Sequence, residues 1–180
     1  SVSGKTSHGA EPWQGINALE QGFGLFADLR EELMREEHPV LGRSTLQVTM
    51  AEGGIAPNMT PDRAQFLADI RIVPPLNEKE VLNRLECLIE KRCEVYNGGL
   101  SFTPEISNYR MPVETGPENQ WLHRLKGFIG DNAGETGINY FTDASIFLTA
   151  WPDSPALLFG PGEPQMCHKP NEYVEISKYF

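Results

Sequence analysis

Two stretches of alternating apolar and polar residues, each beside a stretch of helical periodicity, limit the fold more than any other feature of the sequence. Residues 44–50 and 63–73 both repeat with a period of two, and a loop rich in glycine and proline joins them. This period is typical of strands that bury one face of a sheet. The side chains that we expect on the buried face are Leu46, Val48, Met50, Ala64, Phe66, Ala68 and Ile70.

Apolar residues at helical spacing precede and follow these strands. One helix is predicted from about residue 16 to the His38–Pro39 pair, because the residue before a proline disfavours the helical conformation. Gly22 and Gly24 weaken this helix and indicate close packing. A second helix is predicted from a capping pair, Asn77 and Glu80, to about residue 95.

Short strand-like stretches at residues 1–6 and 100–104 complete the order strand, helix, strand, strand, helix, strand. This order is the ferredoxin-like α+β pattern, an antiparallel sheet with both helices on one face. It predicts a first domain at residues 1–108. Residues 109–180 are typical of the end of an α/β domain, in which the apolar run Ala156–Phe159 would form a buried parallel strand.

Charge and cysteine content exclude some classes of protein. The net charge of −10 argues against non-specific binding to nucleic acid or to anionic membranes. No window has the apolar length of a membrane span. Three cysteines without a CxxC motif predict free thiols in a reducing compartment, by default the cytoplasm. Because the sequence shows no leader and stops inside an amphipathic pattern, we expect a fragment of a larger protein.

Two histidines in loops of glycine and proline are candidates for chemistry. His168 could bind a metal, since neutral imidazole is the commonest protein ligand of zinc-type ions. Glu172, four residues later, could support that histidine or only begin the last helix. His8 follows a short strand, and on local chemistry alone a histidine bonded to backbone is the simpler interpretation.

Three further polar residues each allow a structural and a functional interpretation. Asn58 could stabilise its turn. Arg71 faces outward beside Asp69, which predicts either a weak surface ion pair or a guanidinium presented to a substrate carboxylate. Thr142, with the next residue, precedes an apolar helix and could cap it or help that helix end to hold an anion.

Several segments in a fixed order resemble one enzyme family. Their order and spacing over nearly the whole chain are similar to the co-catalytic zinc peptidase and deacylase family of acetylornithine deacetylase, succinyl-diaminopimelate desuccinylase, aminoacylase and carboxypeptidase G. Any one of the motifs is weak, whereas the ordered set is specific. The segments are Gly4–Ala18, Gly53–Arg63, Asp69–Arg71, Thr142–Ala144 and His168–Tyr173.

The resemblance implies an architecture and an activity. Residues 1–108 would be the lid, or dimerisation, domain of a homodimer, and residues 109–180 the C-terminal part of the catalytic domain. The activity would be metal-dependent hydrolysis of an amide bond in an N-acyl amino acid or a small peptide, with two Zn²⁺ ions, or Co²⁺ or Mn²⁺, in each active site of the complete enzyme. The alternative is a non-catalytic dimerisation or binding module.

The resemblance also implies roles for particular residues. His168 would be the last metal ligand, and His8 would stabilise the tetrahedral oxyanion, often in the partner subunit's site. Asn58, Arg71 and Thr142 would contact substrate, and Arg71 would meet a carboxylate. The family's other ligands and its general base are not found in this sequence, so we expect the chain alone to be inactive.

One segment departs from the family pattern. Many relatives carry glycines before the Thr-Asp pair, whereas this chain has Asn139-Tyr140-Phe141. Two large rings would reshape that wall of the substrate cleft. The resemblance therefore leaves the acyl group and the amino acid open.

Overall fold

The computed structural model describes residues 1–129, 136–138 and 140–178. The chain divides into two compact units, Ser1–Pro112 (unit 1) and Val113–Phe180 (unit 2). The sequence predicts a boundary at about residue 108, and the assignment of the units to a lid and a catalytic domain stays a prediction at this point.

Unit 1 contains a four-stranded antiparallel sheet in the order β4-β5-β1-β6. With a helix between the first and second of these strands along the chain and another between the third and fourth, this is the ferredoxin-like arrangement, and the predicted fold of this unit is confirmed. The elements are β1 (Val2–Ser3), α1 (Ala18–Leu33), β2 (Glu37–His38), β3 (Gly42–Arg43), β4 (Thr45–Gly53), β5 (Arg63–Arg71), α2 (Glu78–Val95) and β6 (Ser101–Phe102).

Both long helices cover the same face of the sheet, because apolar residues of α1, α2, β4 and β5 belong to one cluster. The predicted capping pair at the start of α2 is confirmed: Asn77 Oδ1 accepts from the Glu80 N–H, and the Glu80 carboxylate accepts from the Asn77 N–H. The larger cluster contains Leu29, Leu33, Leu46, Leu76 and Val81, and a second one under the other end of the sheet contains Val2, Ala18, Ala64 and Leu100.

A glycine in α1 allows this helix to lie close to the sheet. A Cβ atom on Gly22 would lie 2.1 Å from the Phe66 ring, a distance that real Cβ atoms do not reach. The ring fills that space and packs edge-to-face on Phe23, with 5.1 Å between the centroids. Gly24 likewise lies against the guanidinium of Arg92. The close packing that the two glycines indicate in the sequence is confirmed.

The predicted end of α1 is wrong, since this helix ends at Leu33 and a small hairpin follows it. The hairpin pairs β2 with β3, and its turn is held by His38, whose Nδ1 accepts the backbone N–H groups of Val40 and Leu41. Strands of two residues are too short to show a period, which is why the sequence pattern does not reveal them.

A bulge in β4 reverses the predicted face of one residue. Val48 pairs with Ala68 but Met50 pairs with Leu67, so Thr49 is the extra residue. An extra residue shifts the alternation by one, and the side chains beyond it change face. Met50 consequently lies on the outward face, opposite the outward Leu67 of β5, and the two side chains are 66% and 49% exposed. The prediction of an inward Met50 is therefore wrong.

The described residues of unit 2 form two helices, α3 (Gln120–Ile129) and α4 (Ala144–Ala150), and short 3-10 turns at Pro164–Met166 and Ile176–Lys178. Its described residues form no strand, so the buried strand predicted at Ala156–Phe159 is wrong for this chain. A buried strand needs neighbours on both edges, and Phe159 is instead 66% exposed.

The pattern expected to continue as a last helix gives only the second 3-10 turn, and Tyr179 and Phe180 lie outside the described residues. None of the helices in the described parts of the chain combines the length and the apolar character that a membrane crossing requires.

Candidate functional site

His8 and Asn58 lie in two loops of unit 1 that run side by side. His8 forms an antiparallel bridge with Met59, and the Gly9 N–H donates to the Asn58 carbonyl oxygen at 2.8 Å. The approach is tight, because a Cβ atom on Gly9 would lie 3.1 Å from that oxygen. The structure thus brings together two residues that are fifty positions apart and that the sequence predicts to share a site.

A pair of hydroxyl groups beside His8 ties the same two loops together. Ser7 Oγ and Thr60 Oγ1 share a hydrogen bond of 2.7 Å, and the Thr60 N–H donates to the Ser7 carbonyl oxygen at 2.9 Å. Thr60 is buried, and Gly15 closes the far side, since a Cβ atom there would lie 2.5 Å from Ser7 Oγ. These contacts fix the backbone on both sides of His8. The sequence does not reveal these contacts, because nothing in either loop indicates a partner so far along the chain.

A backbone hydrogen bond sets the tautomer of His8. The Ala10 N–H donates to His8 Nδ1 at 3.1 Å. An imidazole nitrogen that accepts a hydrogen bond carries no proton, so the neutral ring has its proton on Nε2. The side chain is exposed, and Nε2–H is available as a donor to a ligand. His8 can therefore make the backbone hydrogen bond that local chemistry predicts and also donate a hydrogen bond from Nε2 to a ligand.

Arg71 lies at the other end of β5, on the outward face of the sheet. Its Nε and Nη2 donate to Asp69 Oδ1 and Oδ2, each at 2.7 Å, so the predicted ion pair is present. The hydrogen bonds that Arg71 donates to Asp69 raise the pKa of Arg71, partial burial lowers this pKa, and the negative charge of Asp69 raises it further. Both side chains are about half exposed, at 48% and 45%.

The strand itself separates Arg71 from the two loops. Asn58 precedes Arg63, where β5 begins, and Arg71 ends the strand. β5 has nine residues, so its ends lie about 26 Å apart at a rise of about 3.3 Å per residue. A small molecule that contacts His8 therefore cannot also contact Arg71 of the same copy.

Thr142 lies at the start of α4 in unit 2. Its Oγ1 accepts from the Ala144 N–H at 3.3 Å, and its carbonyl oxygen accepts from the Ser145 hydroxyl at 3.0 Å. Asp143 makes no side-chain capping bond. The hydroxyl of Thr142 thus contributes to the helix start, as the structural interpretation of this residue expects.

His168 is held in an unusual backbone conformation. Its φ is +62°, in the left-handed region that residues other than glycine rarely adopt, and Asn171 has the same φ. The His168 N–H donates to Glu172 Oε2 at 3.3 Å, so Glu172 contacts the backbone of His168. This bond closes the segment into a compact turn with an exposed imidazole.

The residues around His168 do not complete a metal site. Within the described parts of the chain, no group of three or more His, Cys, Asp or Glu side chains could hold a metal ion. A zinc site usually has three or four protein ligands. His168 is suited to be one ligand of such a site, but the described residues do not supply the other ligands.

The segment that departs from the family pattern lies partly outside the described residues, since Asn139 is among those not described. Tyr140 and Phe141 are described, and both rings are about half exposed. The Tyr140 hydroxyl lies 3.8 Å from Cys167 Sγ, a hydrogen bond that raises the pKa of Tyr140. Cys167 directly precedes His168, so one of the two rings lies near the predicted metal ligand.

Comparison with known proteins gives matches that agree with each other. A family model described as the peptidase dimerisation domain matches residues 1–97. Acetylornithine deacetylase of Shigella sonnei (strain Ss046) is 27% identical over 183 residues, which cover 97% of this chain and 45% of that protein. The chain therefore spans about half the length of this curated relative.

Solved structures show the same fold at lower identity. The aminopeptidase PepT of Bacillus cereus matches with a TM-score of 0.63 at 19% identity, over 89% of this chain and 42% of its own. A tripeptidase of Staphylococcus aureus matches with a TM-score of 0.57 at 19% identity, over 83% of this chain and 39% of its own. These likenesses confirm the predicted fold class.

Proposed function

Because the chain belongs to the M20 peptidase family, as the match of residues 1–97 shows, we propose that it is part of a metal-dependent hydrolase. The bond cleaved is an amide bond in an N-acyl amino acid or a small peptide. The proposal is supported by the kinds of enzyme that the chain resembles, a deacetylase, an aminopeptidase and a tripeptidase. The chain alone is inactive in this proposal.

The observation that carries the proposal is the fixed imidazole of His8. Its Nδ1 is occupied by the Ala10 N–H, which leaves Nε2–H as a donor on an anchored loop. Such a donor stabilises the negative oxygen of a tetrahedral intermediate more than the carbonyl oxygen of the substrate, and this difference lowers the barrier. Asn58, on the adjoining loop, orients the substrate through its amide group.

The distance along β5 supports a homodimer. A small substrate cannot contact His8 and Arg71 of one copy, so the two residues serve different active sites, or each site takes them from two copies. β4 is at an edge of the sheet, where its unpaired backbone groups can pair with a second copy. We propose that unit 1 forms this dimer and that Arg71 binds a substrate carboxylate.

Unit 2 contributes to the metal site and to substrate binding in the proposed enzyme. His168 is one metal ligand, and Thr142 contacts the substrate. The metal is Zn²⁺, or Co²⁺ or Mn²⁺, with two ions in each complete active site. We place the enzyme in the cytoplasm, consistent with its free cysteines, and expect no nucleic acid or membrane as a partner.

Replacement of His8 tests the proposal. In the full-length protein, His8→Ala should lower kcat by about a hundredfold to a thousandfold, since the removal of one oxyanion donor has an effect of this size. KM and metal content should stay close to those of the unchanged protein. The rate is measured on a panel of N-acetyl amino acids and dipeptides, and bound metal by atomic emission.

His38→Ala is a matched control, because His38 Nδ1 also accepts backbone N–H groups but belongs to the β2–β3 hairpin. It should leave kcat unchanged. An unchanged kcat in His8→Ala would remove the oxyanion role. Absence of hydrolysis by the unchanged full-length protein would favour the alternative, a dimerisation or binding module.

A further inference from the structure

We propose that Asp69 is a positioning residue, which holds the guanidinium of Arg71 so that the free edge of this group is presented to a ligand carboxylate. The inference rests on the proposed function only where it concerns a substrate. The arrangement itself is visible in the ion pair. Asp69 and Arg71 are two residues apart on one strand, so their side chains lie on the same face of the sheet.

The donors of Arg71 divide into two edges. A guanidinium has five N–H groups, and two carboxylates can bind it at once, one at the Nε and Nη2 side and one at the Nη1 and Nη2 end. Asp69 takes the side position with both oxygens, at 2.7 Å each. Among the described residues, no group accepts from the three remaining N–H groups, which include the complete end position.

The surroundings leave that end open. The side chains on the outward face of β4 and β5 are all exposed, including Thr45 and Gln47, which pair with Arg71 and Asp69 across the strands. A long side chain on such a surface ordinarily samples many rotamers, and ordering it on binding costs free energy. The bidentate bond to Asp69 orders Arg71 before the ligand arrives.

Simple electrostatics and positioning predict opposite changes in ligand affinity when Asp69 is replaced. A negative charge beside Arg71 repels a second carboxylate, so its removal would tighten binding. Positioning predicts the reverse, because the loss of Asp69 releases Arg71 to other rotamers. The sign of the change in affinity therefore distinguishes a positioning residue from a neighbouring charge.

The first experiment measures binding on the 180-residue chain itself. N-acetyl-L-alanine is titrated at constant ionic strength, and the side-chain ¹H–¹⁵N signals of Arg71 are followed by NMR. N-acetyl-L-alanine amide, which lacks the carboxylate, is the control ligand. We expect Asp69→Asn to weaken binding of the acid about threefold and Asp69→Ala about tenfold, since Asn keeps one acceptor and Ala keeps none. Arg71→Lys should lose the bidentate contact and bind the acid weakly with or without Asp69.

Glu52→Gln is the matched control variant. Glu52 lies on the same outward face of β4, opposite Gln65, and its replacement removes the same charge without touching Arg71. It should leave the affinity unchanged. Equal or tighter binding in the Asp69 variants would overturn the proposal. An equal loss of affinity in Glu52→Gln would also overturn it, because the loss would then not depend on the contact between Asp69 and Arg71.

The second experiment uses the full-length enzyme with the substrate that it hydrolyses best and the carboxamide of that substrate. Asp69→Ala should raise KM for the acid about tenfold, leave kcat within about twofold, and leave KM for the carboxamide unchanged. A fall in kcat with both substrates would overturn the positioning role. If the unchanged enzyme hydrolyses no substrate, the proposed function fails, and the NMR titration still decides the role of Asp69.

Discussion

The two units of the chain differ in how they bury their apolar residues. Unit 1 packs α1 and α2 on one face of a complete sheet and fully covers side chains such as Leu29 and Leu33. Among the described residues of unit 2, Leu148 is the one buried apolar side chain, and α3 buries none. The exposed apolar side chains of unit 2 include Trp121, Phe128, Phe147, Trp151, Leu158, Phe159 and Ile176.

This difference separates the candidate site residues into two groups. His8, Asn58 and Arg71 belong to a unit with its own core, so their geometry depends on contacts within this chain. Thr142 and His168 belong to a unit whose large apolar side chains are left uncovered by its described residues. Site residues are held in a defined geometry only when packed neighbouring side chains fix their positions. We therefore expect the candidate residues of unit 1 to keep their arrangement in the isolated chain, and His168, the proposed metal ligand, to need further protein around it.

The largest expected effect is on the core of unit 1. Leu29→Ala removes a side chain with 0% exposure and should lower the free energy of unfolding of this unit by about 2–5 kcal/mol. Phe128→Ala, in α3 of unit 2, removes a ring that is 88% exposed and should change the free energy of unfolding of unit 2 by less than about 0.5 kcal/mol. Urea unfolding followed by far-UV circular dichroism measures both. Similar losses from the two substitutions would show that unit 2 has a core of its own.

Replacement of two helical glycines by alanine should change stability in opposite directions. Gly22→Ala places a Cβ atom 2.1 Å from Phe66, and we expect a loss of about 1–3 kcal/mol from overpacking in spite of the better helix former. A Cβ atom on Gly127, in α3, would meet nothing within 4 Å, so Gly127→Ala should stabilise the helix by about 0.5–1 kcal/mol. Native-state hydrogen exchange of the α1 and α3 amides measures each effect. A gain at Gly22 would contradict the close contact between α1 and the sheet.

Much of unit 1 could be predicted from the sequence because its signals are local. Periodicity identifies both long helices and both long strands, and the glycines of α1 indicate the close contact with the sheet. The pairing of Asp69 with Arg71 is also a local signal, since residues two apart on a strand share a face. The bulge at Thr49 leaves no such signal, because the residues around it alternate as in a regular strand.

What the sequence does not reveal depends on partners that are distant along the chain. The hydrogen bond between Ser7 and Thr60 joins two loops, and the sequence of neither loop indicates that the other is its partner. The error at Ala156–Phe159 has a related cause: the run is apolar enough for a buried strand, but a strand forms only where neighbouring strands accept its hydrogen bonds. A pattern can thus show what a segment prefers without showing whether this chain supplies the partner.

The starts of two helices extend the comparison to smaller effects. Asn77 caps α2 through a reciprocal pair of hydrogen bonds with Glu80, so Asn77→Ala should lower the stability of unit 1 by about 1 kcal/mol. Asp143 occupies the same position before α4 but makes no side-chain capping bond, and Asp143→Ala should change stability by less than about 0.5 kcal/mol. Hydrogen exchange in the first turn of each helix is the measurement. A larger loss of stability in Asp143→Ala than in Asn77→Ala would show that unit 2 depends on local hydrogen bonds more than its described contacts indicate. The two units would then not differ in this respect as we expect.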